Sequence, residues 1–236
     1  MPNDHFAFKQ FKVVQSACAQ KVSTDACLFG AWVAKYSGAR QSVLDVGAGT
    51  GLLMLMLAQK LDAVIDGIEI ADNCAIQAKE NIEASPWSHR LSILHADARK
   101  YAFEKKYELV ISNPPFYENQ LRSPDPARNI AWHSHELNLA ELTGLASRVL
   151  TTDGIFCLLL PYSRKEEILD ITSKQNFHAE RILTVKHTRN HHAGRCMFIL
   201  SKRALPNVEE TLEIKNEDGS YSDAFIELRG DYYLFL

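Results

Sequence analysis

The sequence predicts an α/β fold in which helices flank a mostly parallel β-sheet. Short apolar runs, typical of buried strands, alternate along the chain with segments whose apolar residues recur at helical spacing. One of these runs leads through a glycine-rich turn into a predicted helix, an order typical of a βαβ unit. Polar side chains also follow four successive predicted strands, at the strand ends where ligands bind in open α/β sheets.

The composition indicates a globular protein that buries a core. The chain has 236 residues, 46% hydrophobic and 23% charged, enough for one large domain or one domain with appendages. It contains no run of about 18 apolar residues, and its polar first residues lack the features of a signal peptide. We therefore expect a cytoplasmic protein that does not associate with membranes. The net charge of −3 argues against nonspecific nucleic-acid binding but leaves room for a local basic face.

The cysteines and histidines predict neither disulfides nor a metal site. The five cysteines are scattered and form no C-x-x-C pair, so we expect reduced thiols. The histidines have no acids or cysteines at ligand spacing, and no metal is expected.

Residues 1–22 are predicted to form an N-terminal extension, and residues 23–236 the main domain. Short apolar segments at residues 6–8 and 11–14 indicate a β-hairpin laid over that domain. A helix is then predicted over residues 26–36, capped by Ser23, Thr24 or Asp25.

The glycine-rich turn is Asp45-Val46-Gly47-Ala48-Gly49-Thr50-Gly51, between a strand and a helix predicted over residues 52–60. Glycines allow positive φ and close approach of a ligand to the backbone. The spacing differs from the G-x-G-x-x-G dinucleotide fingerprint, and Asp45 precedes it. A carboxylate there would repel a pyrophosphate but attract an ammonium or sulfonium group, which favours S-adenosylmethionine over NAD.

Two acids follow the next two predicted strands. Glu69 ends a strand predicted over residues 63–70, close to where a carboxylate takes ribose hydroxyls in such folds. Asp97 follows a strand predicted over residues 91–94 and suits the exocyclic amine of an adenine. The alternatives are a solvated Glu69 and an Asp97 that only caps a turn.

The fourth predicted strand, at residues 107–112, delivers Asn113-Pro114-Pro115-Phe116. The carboxamide of Asn113 both donates and accepts hydrogen bonds, and the prolines fix φ and remove two backbone donors. With an aromatic ring beside them, these groups suit a flat aromatic amine. The alternative is a Pro-Pro turn capped by Asn113. Because Asp45, Glu69, Asp97 and Asn113 each end a successive strand, we expect them to line one crevice.

Basic residues concentrate in two later segments. A loop predicted over residues 117–135 carries Arg122 and Arg128. Strands predicted over residues 180–186 and 195–202 form a hairpin with Lys186, Arg189 and Arg195 at or near its loop, and residues 181–203 contain no Asp or Glu. Such side chains suit phosphate contacts, with a solvated loop as the alternative.

These motifs resemble the class I S-adenosylmethionine-dependent methyltransferases, and Asn-Pro-Pro-Phe resembles the motif [N/D/S]-P-P-[Y/F/W] of members that methylate planar amino or amide nitrogens. Further stretches make nearly the whole chain similar to the bacterial tRNA(Val) (adenine-37-N6)-methyltransferase family. Those stretches are Phe8-Lys9-Gln10-Phe11, Lys21-Val22-Ser23-Thr24-Asp25, Gly30-Ala31-Trp32, Tyr221-Ser222-x-Ala224 and Tyr233-Leu234-Phe235.

The resemblance implies a Rossmann-like fold with a mostly parallel seven-stranded sheet. It implies a cofactor site of Asp45, Gly47, Ala48, Gly49, Gly51, Glu69, Ile70, Asp97, Ala98 and Asn113. It also implies a catalytic set of Asn113, Pro114, Pro115 and Phe116, in which Asn113 and the Pro114 carbonyl bind the N6 amine and Phe116 stacks on the base. Such chemistry needs alignment and no metal.

The implied substrate is an unstacked adenine in tRNA, beside the anticodon. We expect a monomer and leave a dimer open. The alternatives are a protein glutamine-N5 methyltransferase, a ribosomal RNA or DNA adenine methyltransferase, and a non-catalytic cofactor-binding module.

Overall fold

The computed structural model describes residues 4–18, 20–115 and 137–235 of the chain. Phe116, Arg122 and Arg128, which the sequence singles out, lie outside the described residues, as does the loop predicted over residues 117–135. Their predicted roles therefore stay predictions.

The N-terminal residues form a small antiparallel sheet. Its strands are β1 (His5–Ala7) and β2 (Lys12–Val14). The rings of Phe8 and Phe11 stack at a centroid distance of 4.4 Å, and both are buried in the main core. Phe8 also forms a β-bridge with Tyr233, so the hairpin packs against the C-terminal segment. The predicted hairpin is present, and the boundary predicted at residue 22 stays a prediction.

The main sheet has eight strands in the described part of the chain. They are β3 (Ser42–Val46), β4 (Val64–Glu69), β5 (Leu91–His95), β6 (Tyr107–Ser112), β7 (Leu150–Pro161), β8 (His178–Lys186), β9 (Ala193–Ser201) and β10 (Val208–Glu213). Their order is β10-β8-β9-β7-β6-β3-β4-β5. β9 runs antiparallel to both of its neighbours, and the other neighbouring pairs are parallel.

The mostly parallel sheet is confirmed, but the predicted count of seven strands is too low by one. β10 extends the sheet by pairing in parallel with β8. Four of its six residues are exposed, because β10 forms the edge and its sequence is rich in charge. An edge strand of this kind carries little of the apolar pattern that marks a buried strand.

Six helices in the described ranges cover the two faces of this sheet. They are α1 (Thr24–Tyr36), α2 (Leu52–Ala58), α3 (Asp72–Glu83), α4 (Leu139–Val149), α5 (Lys165–Ser173) and α6 (Asp223–Arg229). One apolar cluster joins one face of the sheet to α1, α2 and α6, and a second joins the other face to α4 and α5. Neighbouring strand residues alternate between the clusters, Val43 in the first and Leu44 in the second. None of these helices combines the length and apolar character needed to cross a membrane.

Local sequence explains where α1 begins. The side chain of Ser23 accepts a hydrogen bond of 3.2 Å from the backbone N–H of Ala26, so Ser23 is the N-cap among the three residues predicted. Asp25 in the first turn and Lys35 in the last turn complement the helix dipole.

Gly67 shows how tightly β4 packs against α2. A Cβ on Gly67 would lie 2.5 Å from the Sδ of Met54 and 2.8 Å from the Cδ1 of Ile93. A larger residue would therefore force the side chains of Met54 and Ile93 to shift, close to where the glycine-rich turn enters α2.

Candidate active site

The polar residues predicted to share a crevice lie at one edge of the main sheet. Asp45 lies near the end of β3, Glu69 ends β4, Asp97 follows β5, and Asn113 follows β6. These four strands are neighbours and parallel, so their carboxyl ends meet at this edge. The hydroxyl of Ser112 donates a 2.7 Å hydrogen bond to the carbonyl of Val46, which fixes the end of β6 against that of β3.

The glycine-rich turn is fastened to the end of β4. The backbone N–H of Gly47 donates to the Ile68 carbonyl at 2.9 Å, and that of Gly49 donates to Glu69 Oε2 at 2.9 Å. Glu69 Oε1 accepts from the N–H of Ala71 at 2.8 Å. Glu69 is therefore buried and bound on both sides, which contradicts the solvated alternative. Each carboxylate oxygen has a second lone pair, so the predicted ribose contact stays open to it.

The backbone of this turn leaves room for a ligand. Gly47, Gly49 and Gly51 have φ values of +77°, +55° and +78°, where other residues are strained. Among the described residues, no atom lies within 4 Å of where a Cβ would stand on Gly47 or Gly49. The turn therefore exposes bare backbone at the sheet edge, as the sequence predicts for a cofactor cradle.

Asp45 is a buried carboxylate beside this cradle. It is fully buried, and neither oxygen has a hydrogen-bond partner in the described ranges. Burial, with a smaller contribution from the nearby negative charge of Glu69, raises the pKa of Asp45 to about 8. A buried carboxylate without a partner is costly, and a ligand that brings a cation would relieve that cost.

A second part of the edge is an apolar cleft beside Asp97. It brings together four of the predicted cofactor residues, Gly47, Ile70, Asp97 and Ala98. Arg99 also lines it, and its Nε and Nη2 donate to the carboxylate of Asp97 at 2.9 and 2.7 Å. These hydrogen bonds lower the pKa of Asp97. The sequence reasoning missed Arg99, although its place two residues after Asp97 is a signal for such a pair.

Asn113 opens onto a polar cleft on the other side. The cleft has a volume of about 280 Å³ and is lined, among the described residues, by Gln20, Lys21, Ser23, Asp25, Asn113, Leu159 and Arg195. The Oδ1 of Asn113 is buried and finds no hydrogen-bond donor in the part of the chain described. An acceptor in that state suits an incoming N–H donor. Pro114 is half-buried and Pro115 exposed.

The predicted basic residues Lys186, Arg189 and Arg195 lie at the same edge as Asn113. Because β9 is antiparallel to β7 and β8, the β8–β9 loop falls at the carboxyl ends of the parallel strands. Only Arg195 of the three lines the Asn113 cleft. Lys21 and Asp25 line it too, although the sequence suggested only a capping role for Asp25.

Polar side chains of α3 hold the N-terminal segment against the site. Asn81 accepts from the N–H of Val14 and donates to its carbonyl, both at 2.8 Å, and donates to the Thr50 carbonyl in the glycine-rich turn at 2.9 Å. Gln77 Oε1 accepts from Ser16 and Ala17 one turn away. Both α3 side chains are buried. The segment that leads to Lys21 and Asp25 is thus fixed relative to the cradle.

Within the described ranges, no group of three His, Cys, Asp or Glu side chains is arranged to hold a metal ion. The five cysteines are free thiols, of which four are buried. Burial raises the pKa of Cys196 to about 11, so this thiol stays protonated near neutral pH.

Comparison with known proteins agrees with this geometry. The model of the "Methyltransferase small domain" family matches residues 22–141. Two relatives carry the name "tRNA1(Val) (adenine(37)-N6)-methyltransferase". The one from Christiangramia forsetii is 39% identical over 100% of both chains, and the one from Trichodesmium erythraeum is 38% identical over 99% of both.

Solved structures show the same fold at low sequence identity. A predicted O-methyltransferase from Agrobacterium tumefaciens superposes with a TM-score of 0.69 at 17% identity, covering 87% of this chain and 95% of that one. The glycopeptide N-methyltransferase MtfA complexed with S-adenosyl-L-methionine superposes with a TM-score of 0.56 at 10% identity, over 79% of this chain and 97% of that one. The predicted Rossmann-like class I fold is confirmed.

Proposed function

Because this chain belongs to the family of the tRNA1(Val) (adenine(37)-N6)-methyltransferases, we propose that it methylates the N6 amine of an adenine in tRNA. The methyl donor is S-adenosylmethionine, and the target is adenine 37 of a valine tRNA. The reaction takes place in the cytoplasm. The observation that carries the proposal is Asn113 at the end of β6, which lines a cleft and whose buried Oδ1 has no hydrogen-bond donor among the described residues.

The cofactor fits the two features that the sheet edge offers. When bound, S-adenosylmethionine supplies a methyl group activated by its sulfonium. A cationic group bound beside Asp45 would relieve the cost of burying its carboxylate without a partner. The bare backbone at Gly47 and Gly49 allows a ligand to approach closely. Glu69 would hold the ribose, and Asp97 and Ala98, which line one cleft with Ile70, would hold the adenine.

The chain's part in the transfer is alignment. Asn113 Oδ1 accepts one hydrogen of the target amine, and the Pro114 carbonyl accepts the other. Both contacts turn the nitrogen lone pair away from the base ring and toward the donor. The family resemblance assigns stacking on the base to Phe116, which lies outside the described residues. Because the donor is already activated, this arrangement needs neither a metal nor a strong base, and its contribution is proximity and orientation.

The target must be unstacked before it reaches Asn113. An adenine in a paired stack is inaccessible to a cleft of this kind, whereas a tRNA anticodon loop presents bases in a single strand. A protein glutamine is the second candidate, because its side-chain amide fits the same acceptor groups.

The test uses labelled S-adenosylmethionine and bulk tRNA from a strain that lacks this gene. We expect N6-methyladenosine after digestion to nucleosides, with label that ribonuclease removes and protease does not. A tRNA pool from the parent strain is the matched control, since its sites are already methylated. Protease-sensitive label, or cofactor binding by calorimetry without transfer to tRNA, would contradict the proposal. Light scattering of the same preparation decides between the expected monomer and a dimer.

A further inference from the structure

The cleft beside Asn113 carries more charge than an amine-binding site needs. Lys21 and Arg195 contribute two positive charges and Asp25 one negative charge, which leaves the described lining with a net charge of +1. Leu159 is the one apolar side chain among the lining residues described. A neutral base or a glutamine amide brings no anion to such a cleft, whereas a nucleotide brings its phosphate.

Asp25 and Arg195 form an ion pair at this cleft. Arg195 Nε lies 3.0 Å from Asp25 Oδ2, and about a third of each side chain is exposed. Arg195 Nη1 also donates to the Gly194 carbonyl at 2.9 Å. The partners come from distant parts of the chain, Asp25 from the first turn of α1 and Arg195 from β9, where it pairs with Pro161. The pair holds a planar donor group in a defined orientation at the cleft.

The second cation is fixed by the N-terminal segment. Lys21 Nζ donates to the Gln15 carbonyl, and the side chain of Gln15 accepts from the N–H of Val22 at 2.7 Å. These two hydrogen bonds continue the contacts by which α3 holds the N-terminal segment through Gln77 and Asn81. Both cations are therefore held in place by other described residues, which favours recognition of an anion.

We propose that Arg195 binds the backbone phosphate of the target nucleotide and that Asp25 is the positioning residue that orients its guanidinium. Lys21 adds a second positive charge at the same cleft. This inference rests on the proposed function and narrows it, because the cleft then accepts an adenine only as part of a nucleotide chain. The contact between Nε and the Asp25 carboxylate anchors the guanidinium at the cleft, and the planar N–H donors of arginine suit phosphate oxygens.

The test measures steady-state kinetics with an unmodified valine tRNA transcript at several salt concentrations. Arg195→Gln raises the KM for tRNA by about tenfold or more, the usual range for a lost hydrogen bond to a charged group. It lowers the slope of log KM against log salt by about 0.7 to 0.9, because one phosphate contact is lost. The kcat and the affinity for S-adenosylmethionine stay within about twofold, since the contact is equal in ground and transition states.

Asp25→Asn tests the orientation of the Arg195 guanidinium separately from its charge. It leaves the salt slope unchanged, because Arg195 keeps its charge, but it raises the KM for tRNA by about threefold. In the double variant, Asp25→Asn adds no further loss to Arg195→Gln, because the guanidinium that Asp25 orients is already absent. If Arg195→Gln does not fold, Arg195→Lys is measured in its place. Because lysine keeps the positive charge, the salt slope stays unchanged while the affinity for tRNA falls. Glu227→Gln, which breaks the ion pair with Lys35 at the other end of α1, is the matched control and changes nothing.

Two results would overturn the assignment. If Arg195→Gln leaves the KM for tRNA and the salt slope unchanged while methylation of tRNA is intact, Arg195 does not bind the phosphate. The proposed function is not affected by that result. An equal loss of cofactor affinity and of kcat/KM would mean that the pair only maintains the fold. Failure of the proposed function has a different signature, because wild-type protein itself would then leave the tRNA unlabelled.

Discussion

Replacing Asp45 with Asn should make the protein more stable and at the same time poorer at binding its cofactor. Asp45 is fully buried without a hydrogen-bond partner in the described ranges, and its pKa is raised to about 8 from an ordinary value of 3.8. Asparagine has nearly the same shape but never carries charge. The substitution therefore removes the cost of the buried carboxylate and, with it, the attraction for a cationic ligand.

The pH dependence of this cost follows from linkage between protonation and folding. Below pH 3.8 the carboxyl group is protonated in both the folded and the unfolded chain, so it costs nothing. Between pH 3.8 and about 8 the unfolded chain is ionised while the folded chain keeps the proton, and the free energy of unfolding falls as pH rises. The loss is about 1.4 kcal/mol per pH unit, or about 4 kcal/mol between pH 5 and pH 8. Above pH 8 it levels off.

Chemical denaturation of both proteins at pH 5, 6, 7 and 8 measures this directly. The stability advantage of Asp45→Asn over wild type should grow by about 4 kcal/mol over that interval, equivalent to roughly 8–16 °C in Tm for a chain of this size. Other titrating groups are common to both proteins and cancel. A difference that stays constant across this pH range would refute the reasoning, because Asp45 would then have an ordinary pKa and a solvated carboxylate.

Four further outcomes are expected. The affinity for S-adenosylmethionine should rise with pH and level off near pH 8 as Asp45 ionises, and calorimetry with Asp45→Asn should give a flatter profile. Asn113→Ala should lower kcat by about a hundredfold through lost alignment, with cofactor affinity nearly intact, while the exposed Asn207→Ala has no effect in the same assay. Gly67→Ala should cost roughly 1–3 kcal/mol in thermal or chemical unfolding, because its Cβ meets Met54 and Ile93. Gly144→Ala should be neutral or stabilise α4 by up to about 1 kcal/mol, since the described residues leave its Cβ in open space.

The sequence predicts the interior of the sheet well and its edge poorly. β3, β4 and β6 are apolar runs because both of their faces are buried, and their bounds follow closely from that pattern. β10 has one buried residue, Leu212, and backbone pairing with β8 holds it in the sheet. The local sequence predicts a strand only near residues 212–214, and the pairing that extends it back to Val208 depends on where the rest of the sheet lies.

The residues of the candidate site also differ in whether the sequence predicts them. Asp45, Glu69, Asp97 and Asn113 are predictable because each follows a recognisable strand, and parallel strands bring their ends to one edge. The Asp25–Arg195 ion pair is not predictable, since it joins residues from opposite halves of the chain across β7 and β9. The pattern for Asp25 indicates a helix start, and the pattern for Arg195 indicates a basic strand. Each interpretation describes its own segment correctly, but neither indicates that Asp25 and Arg195 form an ion pair.

The polar residues of α3 connect the N-terminal segment with the glycine-rich turn. Gln77 and Asn81 occupy successive turns of α3, and both are buried under the N-terminal segment. Asn81 bonds Val14 on one side and the Thr50 carbonyl of the cradle on the other. Asn81 therefore links the N-terminal segment, which leads to the Asn113 cleft, with the glycine-rich turn. A division at residue 22 separates two stretches of sequence, but Lys21 and Asp25, on either side of it, line the same cleft as Asn113.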